Sequence, residues 1–362
     1  MTDLHLHAPQ FAYRGLGMDM ELLDWLNSYA FPEEAKFRYL SYADRSYGIF
    51  TDLMRRSFTT RAAVFATIHV PATLLLMEKL EASGLICYVG KVNMDRHSPD
   101  DLRESSPEAA VRDTETWIEE SLSHFQRTKP ILTPRFIPSC SDELLQGLKI
   151  LQKRYDLPTQ SHLSENQGEI ELVRQLCPGA RFYGDAYNRF GMFGGDHPCI
   201  MAHCVHSSDE ELARIKENGV FIAHSPESNM NLASGVAPVS RYLELGLNVG
   251  LATDVAGGSH QSMLRAVTHA LQASRLRWRL QDTSVKPLTV DRAFYMATAG
   301  GGSFFGKVGR FDPGFEFDAL VLDDGALAHP QPLSVRARLE RFLFLGDESC
   351  ITAKYVAGRR LF

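Results

Sequence analysis

Apolar, β-branched segments recur along the chain, each bounded by polar or turn residues. They are "TTRAAVFATIH" (59–69), "LICYVGKVNMD" (85–95), "KPILTPRF" (129–136), "LPTQSHLSE" (157–165), "CIMAHC" (199–204), "GVFIAHSPESN" (219–229) and "NVGLATD" (248–254). Each reads as a short buried strand. Between them, "SDELLQGLKILQKRY" (141–155) and the residues from Ser207 to Ile215 repeat apolar positions with a helical period. Both open on Ser-Asp, the side-chain chemistry of an N-cap. Strand alternating with helix predicts a parallel sheet covered by helices.

Seven such strands are countable, and the opening "MTDLHLH" would close an eighth. Eight strands predict an α/β fold of the (β/α)8 TIM-like barrel type over residues 1–300, close to the usual barrel size of about 250 residues. A doubly wound open sheet is the rival architecture, but its glycine-rich GxGxxG loop is absent after the first strand. The polar stretches 96–110 and 183–198 read as loops, because strand patterning resumes after each. Past Thr298 the texture changes to short strands with turn residues, "GKVGRFDPGFEFDALVLDD" and "AKYVAGRRLF". Residues 301–362 therefore read as the C-terminal part of a small β-sandwich appendage.

Composition narrows the function classes. With 44% hydrophobic and 23% charged residues in 362, the chain has the makeup of a soluble globular protein. It has no apolar run near the length of about 18 residues that a membrane span needs, and no basic-then-apolar leader, so a cytoplasmic location is expected. A net charge of −6 without a concentrated Lys/Arg run argues against nucleic acid as a partner. The densest basic cluster, Arg275, Arg277 and Arg279 around Trp278, reads as one side of a solvated helix. Six cysteines without a CxxC pair imply reduced, mostly buried thiols.

Candidate chemistry gathers at the predicted strand ends. His5 and His7, two apart on a strand, would face the same side and could grip one metal ion. By chance alone a His-x-His would occur about 0.5 times in such a chain, so the pair gains its meaning from placement. His69, Asp95, Arg135, His162 with Glu165, His203, His224 and Asp254 all fall at C-terminal strand ends, the face on which barrel enzymes build their sites. Asp254 could complete a His, His, His, Asp set with a position left for water, or cap the next helix. Glu165 could move protons for that water if the strand ends at His162 and the polar turn folds back over it, or it could sit in the first turn of the next helix. Arg135 beside Phe136 offers a planar donor fork and a stacking surface for a flat heteroaromatic carbonyl ligand. Gln10 could add an amide, or be an ordinary loop contact.

The ordered series "DLHLHAPQ", "TPRF", "SHLSEN", "MAHC", "AHSPESN" and "TDVAGG", with "LLDWLNSYAFPEEAKF" (22–37), "FATIH" (65–69) and "VGKVNMD" (89–95), resembles the metal-dependent amidohydrolase superfamily, specifically its guanine deaminases. The resemblance runs over essentially the whole chain. It implies one zinc ion per chain held by His5, His7, His162 and Asp254. It also implies that His203 hydrogen-bonds the attacking water, that Glu165 shuttles the proton with Asp254 assisting, and that Gln10, Arg135 and Phe136 bind the purine together with His162, Glu165 and Asp254. The bridging lysine of the two-metal branch has no counterpart, since "PRF" stands in its place and Lys129 lies at the other end of the strand. The implied reaction is hydrolysis of guanine to xanthine and ammonia by a homodimer.

Two alternatives accompany that reading. A related ring, 8-oxoguanine or a pterin, would need only a different pocket, and a truncated, non-catalytic paralogue would act as a scaffold. The start of the chain bears on both. A barrel strand of about five or six residues should reach His5, and only Met1 to Leu4 precede it. The first half of that strand and the N-terminal half of the sandwich are therefore expected to be missing, with Met1 an internal methionine of a longer protein. Poor solubility and weak zinc retention are expected of the chain if it is genuinely this short.

Overall fold

A computed structural model describes residues 1–362. Its sequence of elements begins with strands β1 (Thr2–His7), β2 (Arg61–Phe65), β3 (Ile86–Gly90), β4 (Val92–Asn93), β5 (Thr128–Pro130) and β6 (Thr133–Pro134). It continues with β7 (Thr159–Leu163), β8 (Cys199–His203), β9 (Phe221–His224) and β10 (Asn248–Leu251). The strands form two four-stranded parallel sheets, β1-β2-β3-β5 and β10-β9-β8-β7, and a short β4-β6 pair extends β3 and β5.

Backbone hydrogen bonds close these sheets into a ring. On one side Gln160 donates to Leu132 O at 2.9 Å and Leu132 to Pro158 O at 3.0 Å. On the other, His7 donates to Val255 O and Asp254 donates to His5 O, both at 2.9 Å. Eight strand units with helices between them make the expected (β/α)8 barrel. Its interior includes a small cluster of Leu4, Ala63, Ile131, Ile200, Ala202, Ala223 and Ala252, while the larger apolar core packs strands against helices.

The anticipated N-caps are present. Helix Asp142–Tyr155 starts at Ser141, whose hydroxyl accepts from Leu144 N, and helix Asp209–Glu217 starts at Ser208, which accepts from Glu211 N. The stretch expected to be loop over 183–198 opens instead with a short helix, Tyr183–Asn188, whose Gly184, Ala186 and Tyr187 are buried. Within 96–110 a single 3-10 turn, Asp100–Leu102, precedes helix Pro107–His124.

The expectation that the first half of the opening strand is missing needs correction. β1 spans six residues, all buried, and takes up both histidines, so the strand runs to His7 and does not stop short of it. Thr2 to His7 pair with Arg61 to Phe65 of β2 through a register shift between Asp3 and Leu6. The C-terminal region forms one antiparallel sheet, β11 (Ala319–Leu322), β12 (Ile351–Val356) and β13 (Arg359–Arg360), with helix Val335–Leu345 between the first two. Arg61 of β2 ties it to the barrel through Asp318, at 2.8 Å, and Glu316, at 2.8 Å. All six cysteines are free and buried. No helix is long and apolar enough to cross a membrane.

Candidate active site

Four imidazoles and two carboxylates converge where β1, β7, β8 and the turn after β10 end. His5 and His7 lie two apart on β1, so both side chains point into the barrel mouth, with ring centroids 4.8 Å apart. His162 comes from β7, and its Nε2 lies 3.2 Å from His7 Nε2. Asp254 Oδ1 sits 3.1 Å from His5 Nε2 and 3.5 Å from His7 Nε2. His203, the last residue of β8, places Nε2 at 3.4 Å from Glu165 Oε2 and 3.6 Å from Asp254 Oδ2.

Two of these residues sit on unusual backbone, as does a neighbour of a third. His203, Asp254 and Ser164 have φ values of +74°, +49° and +48° at or just past the ends of β8, β10 and β7. Non-glycine residues avoid this region, and a cluster of them marks a place where side-chain direction outweighs backbone comfort.

The surroundings set the tautomers and charges. His162 Nδ1 donates to the Arg135 carbonyl at 2.6 Å, and His203 Nδ1 donates to Asn229 Oδ1 at 2.9 Å, which leaves each Nε2 turned into the site. Asp3 lies behind the centre, accepting from Thr253 N at 3.1 Å, Thr253 Oγ1 at 2.5 Å and His5 N at 3.3 Å. Burial raises Asp3 to about 6 against these hydrogen bonds. Burial also lowers His5, His7 and His162, the last two well below the usual imidazole range, so neutral, ligating imidazoles are favoured. Burial works to raise Asp254, but His5, His203 and the hydrogen bond from Ser228 together outweigh it and hold the carboxylate at about 2. Glu165 is driven well above the ordinary carboxylate range by burial and then by Asp254.

The donor set suits a metal ion. Ligand atoms of His5, His7 and Asp254 lie within 4.8 Å of one another, as do those of His5, His162 and His203. Both ring nitrogens of His5, and Nε2 of His203, are buried without a hydrogen-bond partner. Unpaired buried imidazoles at this density are costly unless something binds them, and imidazole with carboxylate is a common zinc environment.

The same pocket is lined by Gln10, Arg135 and Phe136, and by Leu22, Trp25, Leu26, Leu232 and Gly257. Every residue named from the sequence for the metal, the chemistry or the ring thus reaches one centre. Glu165 lies just before the helix it was weighed against: Asn166 is the N-cap of helix Gln167–Leu176, and Glu169 closes its capping box. Other strand-end residues do not join them. Asp95 accepts from Ser141 N at 2.7 Å beside a helix start, and His69 occupies the N-cap position of helix Val70–Ser83. His224 is buried at the end of β9 with both nitrogens unpartnered. Three contributors were not foreseen: Glu34, which pairs with Arg135, Asn229, which orients His203, and the apolar wall from Leu22, Trp25 and Leu26. The quoted segment 22–37 contained Glu34 and that wall, but nothing local to it specifies their partners.

The model of the amidohydrolase family matches residues 1–361 of the chain. A guanine deaminase of Dictyostelium discoideum is 38% identical over 99% of this chain and 81% of its own length. One of Rattus norvegicus is also 38% identical, over 100% and 82%. The crystal structure of guanine deaminase from C. acetobutylicum with bound guanine in the active site superposes with a TM-score of 0.97 at 48% identity, covering 100% of this chain and 86% of that one. Because these matches take in the whole of this chain, the expectation that an N-terminal half is missing from the fold is not borne out.

Proposed function

The chain belongs to the amidohydrolase family and, within it, to the guanine deaminases, and from that membership and the geometry of the centre we propose that it hydrolyses guanine to xanthine and ammonia. One observation carries the reading. The pocket that gathers His7, His162, His203, Asp254 and Glu165 is also walled by a planar donor fork, an amide and aromatic side chains, so hydrolytic machinery and a cradle for a flat oxo-amino ring share one space.

His5, His7, His162 and Asp254 would hold a single zinc ion, which when bound supplies the Lewis acidity that makes water a nucleophile near neutral pH. Glu165 takes the proton of the attacking water and delivers it to ring N3, which makes C2 accept attack. Its elevated proton affinity suits a group that must hold a proton between two transfers. His203, oriented by Asn229, hydrogen-bonds the water, and Asp254 receives the remaining hydroxyl proton. Passage of that second proton to the amino group lets collapse at C2 expel it as ammonia. Arg135 and Gln10 hold the O6 edge, and Phe136 and Trp25 bound the ring's apolar surfaces, so orientation is set before chemistry begins. The same reading takes residues 1–300 as the catalytic barrel, 301–362 as an appended unit, and the active species as a homodimer.

The test is ammonia release from guanine by purified protein of measured zinc content, run beside 8-oxoguanine and a pterin. We expect about one zinc per chain and a clear preference for guanine. A zinc-replete protein that prefers a pterin would overturn the substrate assignment, and a protein that takes up no zinc would favour the scaffold alternative.

A further inference from the structure

Segment 22–37 delivers one charged side chain into the site. Glu34 is buried and accepts two hydrogen bonds from Arg135, Nη1 to Oε2 at 2.5 Å and Nη2 to Oε1 at 3.0 Å. It accepts a third from Gln10 Nε2 at 2.9 Å. Gln10 Oε1 in turn accepts from the backbone N–H of Ala256 at 3.1 Å. The Gln10 amide is therefore fixed, because reversing it would set its NH2 against the Ala256 donor and its oxygen against the carboxylate. One carboxylate thus aligns both groups assigned to the polar edge of the ring. Guanidinium donors not used by Glu34 stay free for a ligand, since arginine carries five N–H groups.

Burial opposes the charge on Arg135, but Glu34 foremost, with Tyr13 and Asp254, offsets it and the guanidinium holds its proton more firmly than usual. The pair as a whole carries no net charge. The edge therefore offers hydrogen-bond donors without the attraction for anions that a lone buried guanidinium would exert.

We infer that Glu34 is a positioning and selectivity residue: it holds Gln10 and Arg135 in register with the O6 edge and, by cancelling the guanidinium charge, tilts the pocket toward a neutral ring and away from an anionic one. This rests on the guanine deaminase reading of the site. The consequence falls on the product. Xanthine, with two ring carbonyls, loses a proton more readily than guanine, so in mildly alkaline water part of it is an anion. With Glu34 in place that anion is held less tightly and leaves.

The experiment compares the native chain with Glu34→Gln and Glu34→Asp, measuring guanine turnover and, by calorimetry, xanthine binding at about pH 6 and about pH 9. The native chain should bind xanthine more weakly at the higher pH. Glu34→Gln should raise KM about tenfold or more, with kcat changed less than about threefold, and should lose the weakening of xanthine at high pH. Glu34→Asp keeps the charge and shortens the reach, so it should raise KM while retaining that weakening. Native KM together with native pH dependence in Glu34→Gln overturns the inference. If Glu34→Gln does not fold, as read by circular dichroism, Glu34→Asp decides: native KM there overturns the positioning role, and lost pH dependence overturns the charge role. A zinc-loaded native chain that does not act on guanine overturns the functional reading instead, and that result precedes any substitution.

Discussion

At the scale of single residues, Glu165 is the side chain whose chemistry is separable from the site's architecture. It lies 3.4 Å from His203 Nε2, accepts from Ser234 Oγ at 3.3 Å, and is not among the four residues assigned to the metal. Glu165→Gln keeps volume and hydrogen bonding but removes the proton acceptor. It should leave zinc stoichiometry unchanged while lowering kcat by about 10² to 10⁴. Metal analysis and turnover on the same sample check this, and an unchanged rate would remove Glu165 from the proposed role. What was legible at this scale follows from distance along the chain. His5 and His7 announce themselves by spacing, and Glu165 by its nearness to His162. Glu34 does not, because its partner Arg135 is 101 residues away and a glutamate in "FPEEAKF" looks like any exposed helical one.

Among elements, capping chemistry was readable and irregular covering segments were not. Ser141 and Ser208 each start an amphipathic helix whose period continues for several turns, so local signal and tertiary packing agree. Ser141 is also tied to Asp95 through its backbone N–H and its hydroxyl. Ser141→Ala should therefore cost about 1 to 2 kcal/mol in urea denaturation, at the upper end for a cap, because it also removes a partner of Asp95. By contrast Leu22–Trp25, Leu26–Ala30, Phe31–Glu34 and Ala35–Arg38 are successive single turns of differing helical type. None is long enough to establish a period, yet the first two supply the pocket wall of Leu22, Trp25 and Leu26, and the third brings Glu34 to Arg135. The short helix Tyr183–Asn188 escaped notice for the same reason, its glycine and aromatics reading as turn chemistry.

For the whole molecule, the barrel was legible because a strand and helix alternation of this length has few other solutions, whereas attachment of the C-terminal sheet depends on contacts no local pattern encodes. Arg61 and Asp318 are 257 residues apart, and their side chains are 3% and 4% exposed, so this ion pair is largely shielded from solvent screening. Burial works to raise the pKa of Asp318, but Arg61, helped by hydrogen bonds from Ala357 N–H and Thr60, holds it below the ordinary aspartate value. A carboxylate depressed in the folded state adds stability above its unfolded value, and loses it as pH falls through its folded one. Asp318→Asn should thus destabilise the protein by about 2 to 3 kcal/mol at neutral pH, with the gap from the native chain narrowing below about pH 4. Denaturation midpoints across that range check it, and a gap independent of pH would contradict it. The ring closure between β1 and the turn after β10 has one more consequence, for the order of folding. Asp3 meets Thr253 across 250 residues, and the neighbouring His5 and Asp254 come together only when the first and last strands of the barrel join. That contact carries a large loop-closure entropy and belongs to the late, non-local part of assembly. Capture of an ion by these two residues would therefore report completion of the barrel, with the nascent chain unable to form the full set until its final strand has docked.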